Sequence, residues 1–155
     1  QLLAVVAQSV PFKPNMSKIA ELLGISRNNI ADYLLYLEEA GMLAQLRSAT
    51  QGVRSLGKVD KIYLDNTNLS AVLTADQANI GNQRETFFLN QTRVLHEPTS
   101  SSFVDFAIAA YHFELGGKNK GQKQLANQAN AFVVKDNIEQ GYLNVVPLWH
   151  FGFLY

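Results

Sequence analysis

Three carboxylates in the second half of the sequence have the residue types and spacing that could hold a divalent metal ion. Asp105 and Glu114 lie in or beside two adjacent β-rich stretches, and Glu85 lies in the helical stretch before them. Neighbouring strands can bring such carboxylates close together, and carboxylate oxygens are ligands that suit Mg²⁺. A metal ion held in this way can activate water for cleavage of a phosphodiester bond.

A lysine two positions after the glutamate would normally complete such a site, but that position is Gly116. Lys118 or Lys120, in the glycine-rich turn that follows, would have to reach back instead. The predicted catalytic residues of this degenerate nuclease-like site are Glu85, Asp105, Glu114 and Lys118. The alternative is that these carboxylates pair with nearby lysines or form local hydrogen bonds, with no catalytic role.

A second candidate chemistry is the recognition of double-stranded DNA by the helix that follows Ser26. This helix begins with Arg27, Asn28 and Asn29. Arginine and asparagine side chains form hydrogen bonds with the edges of guanine and adenine, respectively. The basic residues that could contact phosphates are Lys18, Arg47, Arg54 and Lys58. Acidic residues on the same helix and a formal net charge of zero oppose strong binding, because phosphate contacts supply most non-specific affinity. The alternative is that the helix-turn-helix serves for packing or for contact with another protein and does not bind DNA.

The elements that would position these DNA-binding residues are two helices, a tight turn and a strand in residues 16–47. Ser17 can cap the first helix, and Gly24 ends it. The second helix carries an apolar stripe at helical spacing, formed by Ile30, Tyr33, Leu34 and Leu37. A short helix near the start and paired strands at 44–47 and 61–64 complete the order of a winged helix-turn-helix.

The second half has the order α, β, β, α, β, β. A helix begins at Gly81, two adjacent strands cover 103–115, and a polar helix covers 122–131. The closing aromatic segment, 147–155, is expected to be buried. We therefore predict an α+β protein, with a winged helix-turn-helix domain at 1–64 and a mixed α/β domain at 65–155.

Composition bounds the remaining possibilities. The 155 residues include no cysteine, which excludes a disulfide framework and a thiolate metal site. The three histidines lack ligand spacing, so we expect none of them to bind a metal ion. No phosphate-binding loop is present, so we expect no nucleotide cofactor in this chain. Mg²⁺ would be a cofactor only if the acidic cluster is functional. No apolar run reaches the roughly 18 residues of a membrane span, and we expect a cytoplasmic protein without a membrane partner. The first residue is Gln1, which suggests a fragment of a longer chain.

A series of short motifs follows the whole chain. In order they are Gly24-Ile25-Ser26, Lys61-Ile62-Tyr63-Leu64, Glu85-Thr86-Phe87, Phe103-Val104-Asp105-Phe106, Glu114-x-Gly116-Gly117-Lys118 and Pro147-Leu148-Trp149. This series resembles the C-terminal region of a group of uncharacterised bacterial and archaeal AAA-type ATPases. The resemblance implies a winged helix followed by a restriction-endonuclease-like domain of unknown function, with an ATP-binding domain before Gln1. ATP would bind that parent ATPase domain.

The resemblance places Glu85, Asp105 and Glu114 where a nuclease-like fold keeps its acidic residues. It implies a non-catalytic DNA-binding or recognition region that serves the parent ATPase domain, with a nuclease-like domain that is inactive because Gly116 replaces the lysine. One alternative is a nuclease that uses Mg²⁺ at the acidic residues. Another is a protein-interaction module of the ATPase, for which the aromatic tail or the wing would supply the surface.

Overall fold

The fold of the chain is described from a computed structural model, which covers residues 1–8, 10–49, 58–74, 79–121, 125 and 128–154. The helices are α1 (Leu2–Ala7), α2 (Met16–Leu23), α3 (Arg27–Glu39), α4 (Thr67–Thr74), α5 (Ile80–Thr92) and a 3₁₀ helix (Leu148–Phe153). The strands are β1 (Leu43–Arg47), β2 (Val59–Leu64), β3 (Phe106–Ile108), β4 (Tyr111–Gly116), β5 (Ala131–Lys135) and β6 (Val145–Pro147). Helices and two small sheets therefore form a mixed structure that is compatible with the predicted α+β class.

Local capping explains where α2 and α3 begin and end. The side chain of Asn15 accepts a backbone N–H from the first turn of α2 at 3.0 Å, so the cap is Asn15 and the prediction of Ser17 was wrong. Gly24 ends α2 in the left-handed region, with φ of 66°. Ser26 then caps α3, as predicted, by accepting the N–H of Asn29 at 3.2 Å.

The apolar stripe of α3 is narrower than predicted. Ile30 and Leu34 are fully buried in the N-terminal core, and Leu37 packs against its edge. Tyr33 is 44% exposed, so its predicted place in the core was wrong. At 100° per residue Tyr33 lies on the margin of the stripe, where the core no longer covers the helix.

The hairpin of β1 and β2 is covered on both faces. The strands pair antiparallel, with Leu43 opposite Leu64 and Ala44 opposite Tyr63. Because side chains alternate along a strand, neighbouring residues enter different cores. The N-terminal core with α1, α2 and α3 receives Leu43, Ile62 and Leu64. The second core, which contains Phe88 of α5, receives Ala44, Leu46 and Tyr63. The hairpin thus forms a layer shared by both halves.

The second sheet has the strand order β3-β4-β5-β6. Strands β3 and β4 are the two adjacent strands predicted at 103–115, although β3 begins only at Phe106. They pair antiparallel, and the β4–β5 and β5–β6 pairs are parallel. The preceding segment joins this sheet to the hairpin, because Ser100 N–H donates to the Arg47 carbonyl at 2.9 Å while Thr99 pairs with Ala107. Half of the helix predicted at 122–131 lies outside the described residues. Its last described residues are not helical, because residues 129 and 130 form a turn and Ala131 begins β5.

The aromatic segment at the C-terminus is only partly buried. Leu148 is buried, and the ring of Phe151 lies 4.7 Å from that of Phe88. Trp149 and Phe153 are 50% and 77% exposed, so the expectation that the segment is buried was wrong for both. A 3₁₀ helix repeats every three residues, so it places Leu148 and Phe151 on one side and turns Trp149 and Phe153 elsewhere. Tyr155 lies outside the described residues.

Candidate functional site

The hairpin of β3 and β4 brings Asp105 towards Glu114. Phe106 pairs with Phe113, and the same register places the preceding Asp105 opposite Glu114. The Oδ2 atom of Asp105 accepts the backbone N–H of Leu115 at 2.8 Å, which fixes the carboxylate at the start of β3. Two of the sequence-predicted acidic residues therefore lie near each other.

Glu85 joins this region through the hairpin of the first sheet. Its Oε2 atom accepts a hydrogen bond from the Tyr63 hydroxyl at 2.7 Å and from Lys61 Nζ at 3.0 Å. Lys61 Nζ also lies 4.0 Å from Asp105 Oδ1, so one ammonium group lies between two carboxylates. Lys61 and Tyr63 were missed as site residues. Their alternation on β2 placed them on one face, but no local signal pointed to a partner as distant in sequence as Glu85.

The lysine that reaches Glu114 is Lys120. Its ammonium group forms an ion pair with Glu114, whose side chain is almost fully buried. A Cβ atom at Gly116 would lie 2.6 Å from Cβ and Cγ of Lys120, so the lysine stem crosses directly over this glycine. Lys118 is exposed, and its carbonyl accepts Lys135 Nζ at 3.4 Å. No ion pair of the Lys118 side chain is found within the described part of the chain.

We call these ion-paired residues the acid–lysine network: Glu85, Asp105, Glu114, Lys61 and Lys120. Their surroundings change the pKa of Asp105. Burial raises that pKa from 3.8 to about 6; the N–H of Leu115 opposes the rise, Glu85 and Glu114 add to it, and Lys61 opposes it more weakly. Burial, together with the adjacent Glu85 carboxylate, also raises the pKa of Tyr63 far above its ordinary value. Asp105 therefore changes its charge near pH 6.

The acid–lysine network does not have the geometry of a metal site. Across the described ranges, no group of three or more His, Asp or Glu residues could hold a metal ion. Glu85 is bound by Lys61 and Tyr63, Glu114 by Lys120, and Asp105 by a backbone N–H. Each of these carboxylates thus already has a protein donor on one of its oxygens, and the arrangement is chemically that of an ion-pair network.

The side chains proposed to read DNA bases lie on the surface. Arg27, Asn28 and Asn29 are all exposed in the first turn of α3. Lys18 of α2 and Lys58, just before β2, are exposed as well. The hydrogen-bond donors and acceptors of these side chains in the first turn of α3 are therefore accessible to solvent.

Arg47 has a different position from the other predicted phosphate contacts. Its Nη2 atom lies 3.3 Å from Glu38 Oε2, so the guanidinium is directed along the protein surface towards α3. Glu38 also accepts the backbone N–H and the side-chain amide of Gln45, each at 2.9 Å. This carboxylate therefore ties the end of α3 to the edge of β1. Arg54 lies outside the described residues.

A cleft of about 470 Å³ lies where the two halves meet, beside the acid–lysine network. Its walls come from the connection between α1 and α2, from the hairpin, and from the segment before β3. The residues that line it are Pro11, Phe12, Lys13, Ser48, Asp60, Lys61, Ser100, Ser101, Ser102, Val104 and Asp105. Lysines, hydroxyl groups and carboxylates thus line one half-open cleft.

Within the described residues, no helix is both long enough and apolar enough to cross a membrane.

Comparisons with known proteins give one family. No curated protein and no solved structure matches the chain. Residues 1–82 match the family model described as a domain of unknown function, DUF8612, and that description mentions no ATPase, winged helix or nuclease. The match runs through α1 to α4 and the hairpin and covers more than half of the sequence. The chain therefore belongs to the DUF8612 family.

Proposed function

We propose that this chain is a non-catalytic region that binds double-stranded DNA for an AAA-type ATPase. The observation that carries the proposal is the first turn of α3, where Arg27, Asn28 and Asn29 are all exposed directly after a capped helix start. A recognition helix places its N-terminal side chains at base edges in the major groove. Lys18 and Lys58 are exposed and available for phosphates.

The order of elements supports a winged helix-turn-helix for the first part of this proposal. Three helices precede the antiparallel hairpin of β1 and β2. Both faces of the hairpin are covered by the two cores, so α3 is the element that would enter the groove. The second sheet, with α5 packed on it, would be the nuclease-like domain of this scheme.

The non-catalytic part of the proposal rests on the acid–lysine network. A metal-dependent nuclease needs carboxylate oxygens that are free to ligate a cation. Glu85 and Glu114 are instead neutralised by Lys61 and Lys120. These residues do not fit a magnesium site as they stand, and the proposal includes no cleavage step.

The test is a fluorescence-anisotropy titration of mixed-sequence duplex DNA at low salt. We expect the unsubstituted chain to bind and the triple variant R27A/N28A/N29A to bind several-fold more weakly, because the variant loses the groove-facing side chains of α3 and the positive charge of Arg27. The control is Gln140→Glu, which lowers the net charge by the same one unit at an exposed position of the second half and should retain the affinity of the unsubstituted chain. Failure of the parent chain to bind even at low salt would overturn the proposal. Supercoiled plasmid with Mg²⁺ should remain intact.

A further inference from the structure

We infer that the later turns of α3 dock a basic amphipathic helix of another protein. The docking surface consists of Asp32, Leu35, Tyr36 and Glu39, and we call it the outer face of α3. Its members lie three or four residues apart and therefore on one side of the helix. All four side chains are exposed. The inference does not depend on the proposed DNA contact, which is made by the first turn of the same helix.

The outer face lies opposite the stripe that α3 buries. Ile30 and Leu34 are fully buried in the N-terminal core. At about 100° per residue, Asp32 and Glu39 lie roughly 160–180° from the centre of that stripe. Leu35 is 43% exposed there. A helix position opposite the core is usually polar, so an apolar residue here favours a surface that a partner covers.

Tyr36 adds a second apolar side chain directly beside Leu35. It is 59% exposed, and its hydroxyl makes no hydrogen bond within the described part of the chain. Tyrosine is enriched among the residues that supply most of the binding energy in protein interfaces. Leu35 and Tyr36 therefore form an adjacent apolar pair that a partner can bury.

The charge of the outer face is negative and is not neutralised by this chain. Residues 28–46 contain no lysine or arginine. Asp32 and Glu39 form no ion pair with any described residue. Glu38, the remaining carboxylate of α3, is instead paired with Arg47. Charge complementarity therefore favours a partner that carries lysine or arginine, while a second copy of this face or a DNA backbone would be repelled.

The spacing of the outer face specifies the partner further. Leu35 and Tyr36 lie in one turn, with Asp32 one turn before them and Glu39 one turn after them. The two carboxylates are thus about 10 Å apart along the helix axis. A partner helix packed along α3 would match them with two cations seven residues apart and with apolar side chains between these cations.

The experiment titrates a fluorescently labelled peptide with the full chain and follows the anisotropy of the label. The peptide is an alanine-based helix with lysines seven residues apart and with leucines at the third and fourth positions after each lysine. A matched peptide carries glutamate in place of every lysine. We expect the lysine peptide to bind and the glutamate peptide to bind at least about tenfold more weakly, because its charges repel Asp32 and Glu39.

The double variant Leu35→Ala/Tyr36→Ala tests the apolar part of the contact. It should weaken binding of the lysine peptide about tenfold, because a few apolar anchors carry most of an interface. The matched control is Val94→Ala/Leu95→Ala, an adjacent apolar pair of similar exposure that follows α5. This control should retain full affinity.

The double variant Asp32→Asn/Glu39→Gln tests the charges while it keeps the size of both side chains. It should weaken binding several-fold and reduce the salt dependence of the affinity. Its matched control is Glu97→Gln/Glu139→Gln, which removes two exposed carboxylates of the second half and should change neither quantity. Thermal unfolding curves check that every variant is folded, and the charge variant tests the inference independently of the alanine variant.

Two results would overturn the inference. One is failure of the lysine peptide to bind the unsubstituted chain. The other is equal binding of that peptide by the outer-face variants and by their controls. If Asp32→Asn/Glu39→Gln instead changed only the affinity for duplex DNA, the outer face would lie against DNA and the inference would fail. The triple variant at Arg27, Asn28 and Asn29 tests the proposed DNA contact separately.

Discussion

Asp105→Asn is expected to stabilise the protein above neutral pH. The amide oxygen of asparagine can still accept the N–H of Leu115, while the charge beside Glu85 and Glu114 is removed. Burial is the main reason that the pKa of Asp105 rises from 3.8 to about 6, so the folded state holds the charged form poorly. Since one pKa unit is worth about 1.4 kcal/mol, the corresponding free energy is at most about 3 kcal/mol. The side chain is 22% exposed and the variant weakens the contact with Lys61, so we expect a smaller gain, of about 1–2 kcal/mol.

The pH dependence of this gain follows from the direction of the pKa change. Below pH 3.8 Asp105 is protonated in both the folded and unfolded states, so the substitution should change stability little. As pH rises from there through about 6, the unfolded state loses the proton first, and the parent protein loses stability that the variant keeps. The difference should be largest above neutral pH.

Urea denaturation from pH 4 to pH 8 measures this difference. Asp32→Asn, on the exposed side of α3, is the matched control and should give a small difference that does not vary with pH. A variant that is less stable than the parent at pH 8, or a difference that is constant with pH, would refute the account. The first result would mean that Lys61 stabilises the Asp105 charge more than burial opposes it, and the second would mean that folding leaves the pKa of Asp105 unchanged.

Two further substitutions test two contacts described above, that of Lys120 with Glu114 and that of Glu38 with Gln45. Gly116→Ala should cost about 1–3 kcal/mol, because its Cβ would meet the Lys120 stem at 2.6 Å and displace the lysine from Glu114. Gly121→Ala, with open space around its Cβ, should be nearly neutral in the same urea titration, and equal losses would contradict the explanation. Glu38→Ala should cost about 1–3 kcal/mol, since Gln45 at the edge of β1 loses its carboxylate acceptor. The exposed neighbour Glu39→Ala is its control in thermal unfolding, where a loss as large as that of Glu38→Ala would count against the hydrogen bonds.

Local patterns in the sequence were sufficient to predict many of the elements. Gly24 and Ser26 act through their own backbone and side chain, so the turn between α2 and α3 was predicted correctly. The order of elements predicted that strands at 44–47 and 61–64 pair, and β1 and β2 do pair antiparallel. The predictions for Tyr33 and Trp149 were wrong, since both side chains are exposed. Their burial depends on whether an element distant in sequence covers them, and the residue type alone does not indicate this.

The candidate site was predictable in part for the same reason. Asp105 and Glu114 are close because they belong to one hairpin, whose strands are adjacent in sequence. Lys61 and Tyr63 reach Glu85 only through the packing of the first hairpin on α5, and nothing near either residue indicates this contact. The choice of Lys120 over Lys118 depended on the path of a glycine-rich turn, which residue types alone do not fix.

The hairpin of β1 and β2 has a mechanical consequence for the whole molecule. Ala44 and Tyr63 point into one core, while Leu43 and Leu64 point into the other, so neither core can shift without moving the same two strands. Packed interiors yield little to such displacement. A load applied at α3 would therefore reach the second core through the two strands of the hairpin.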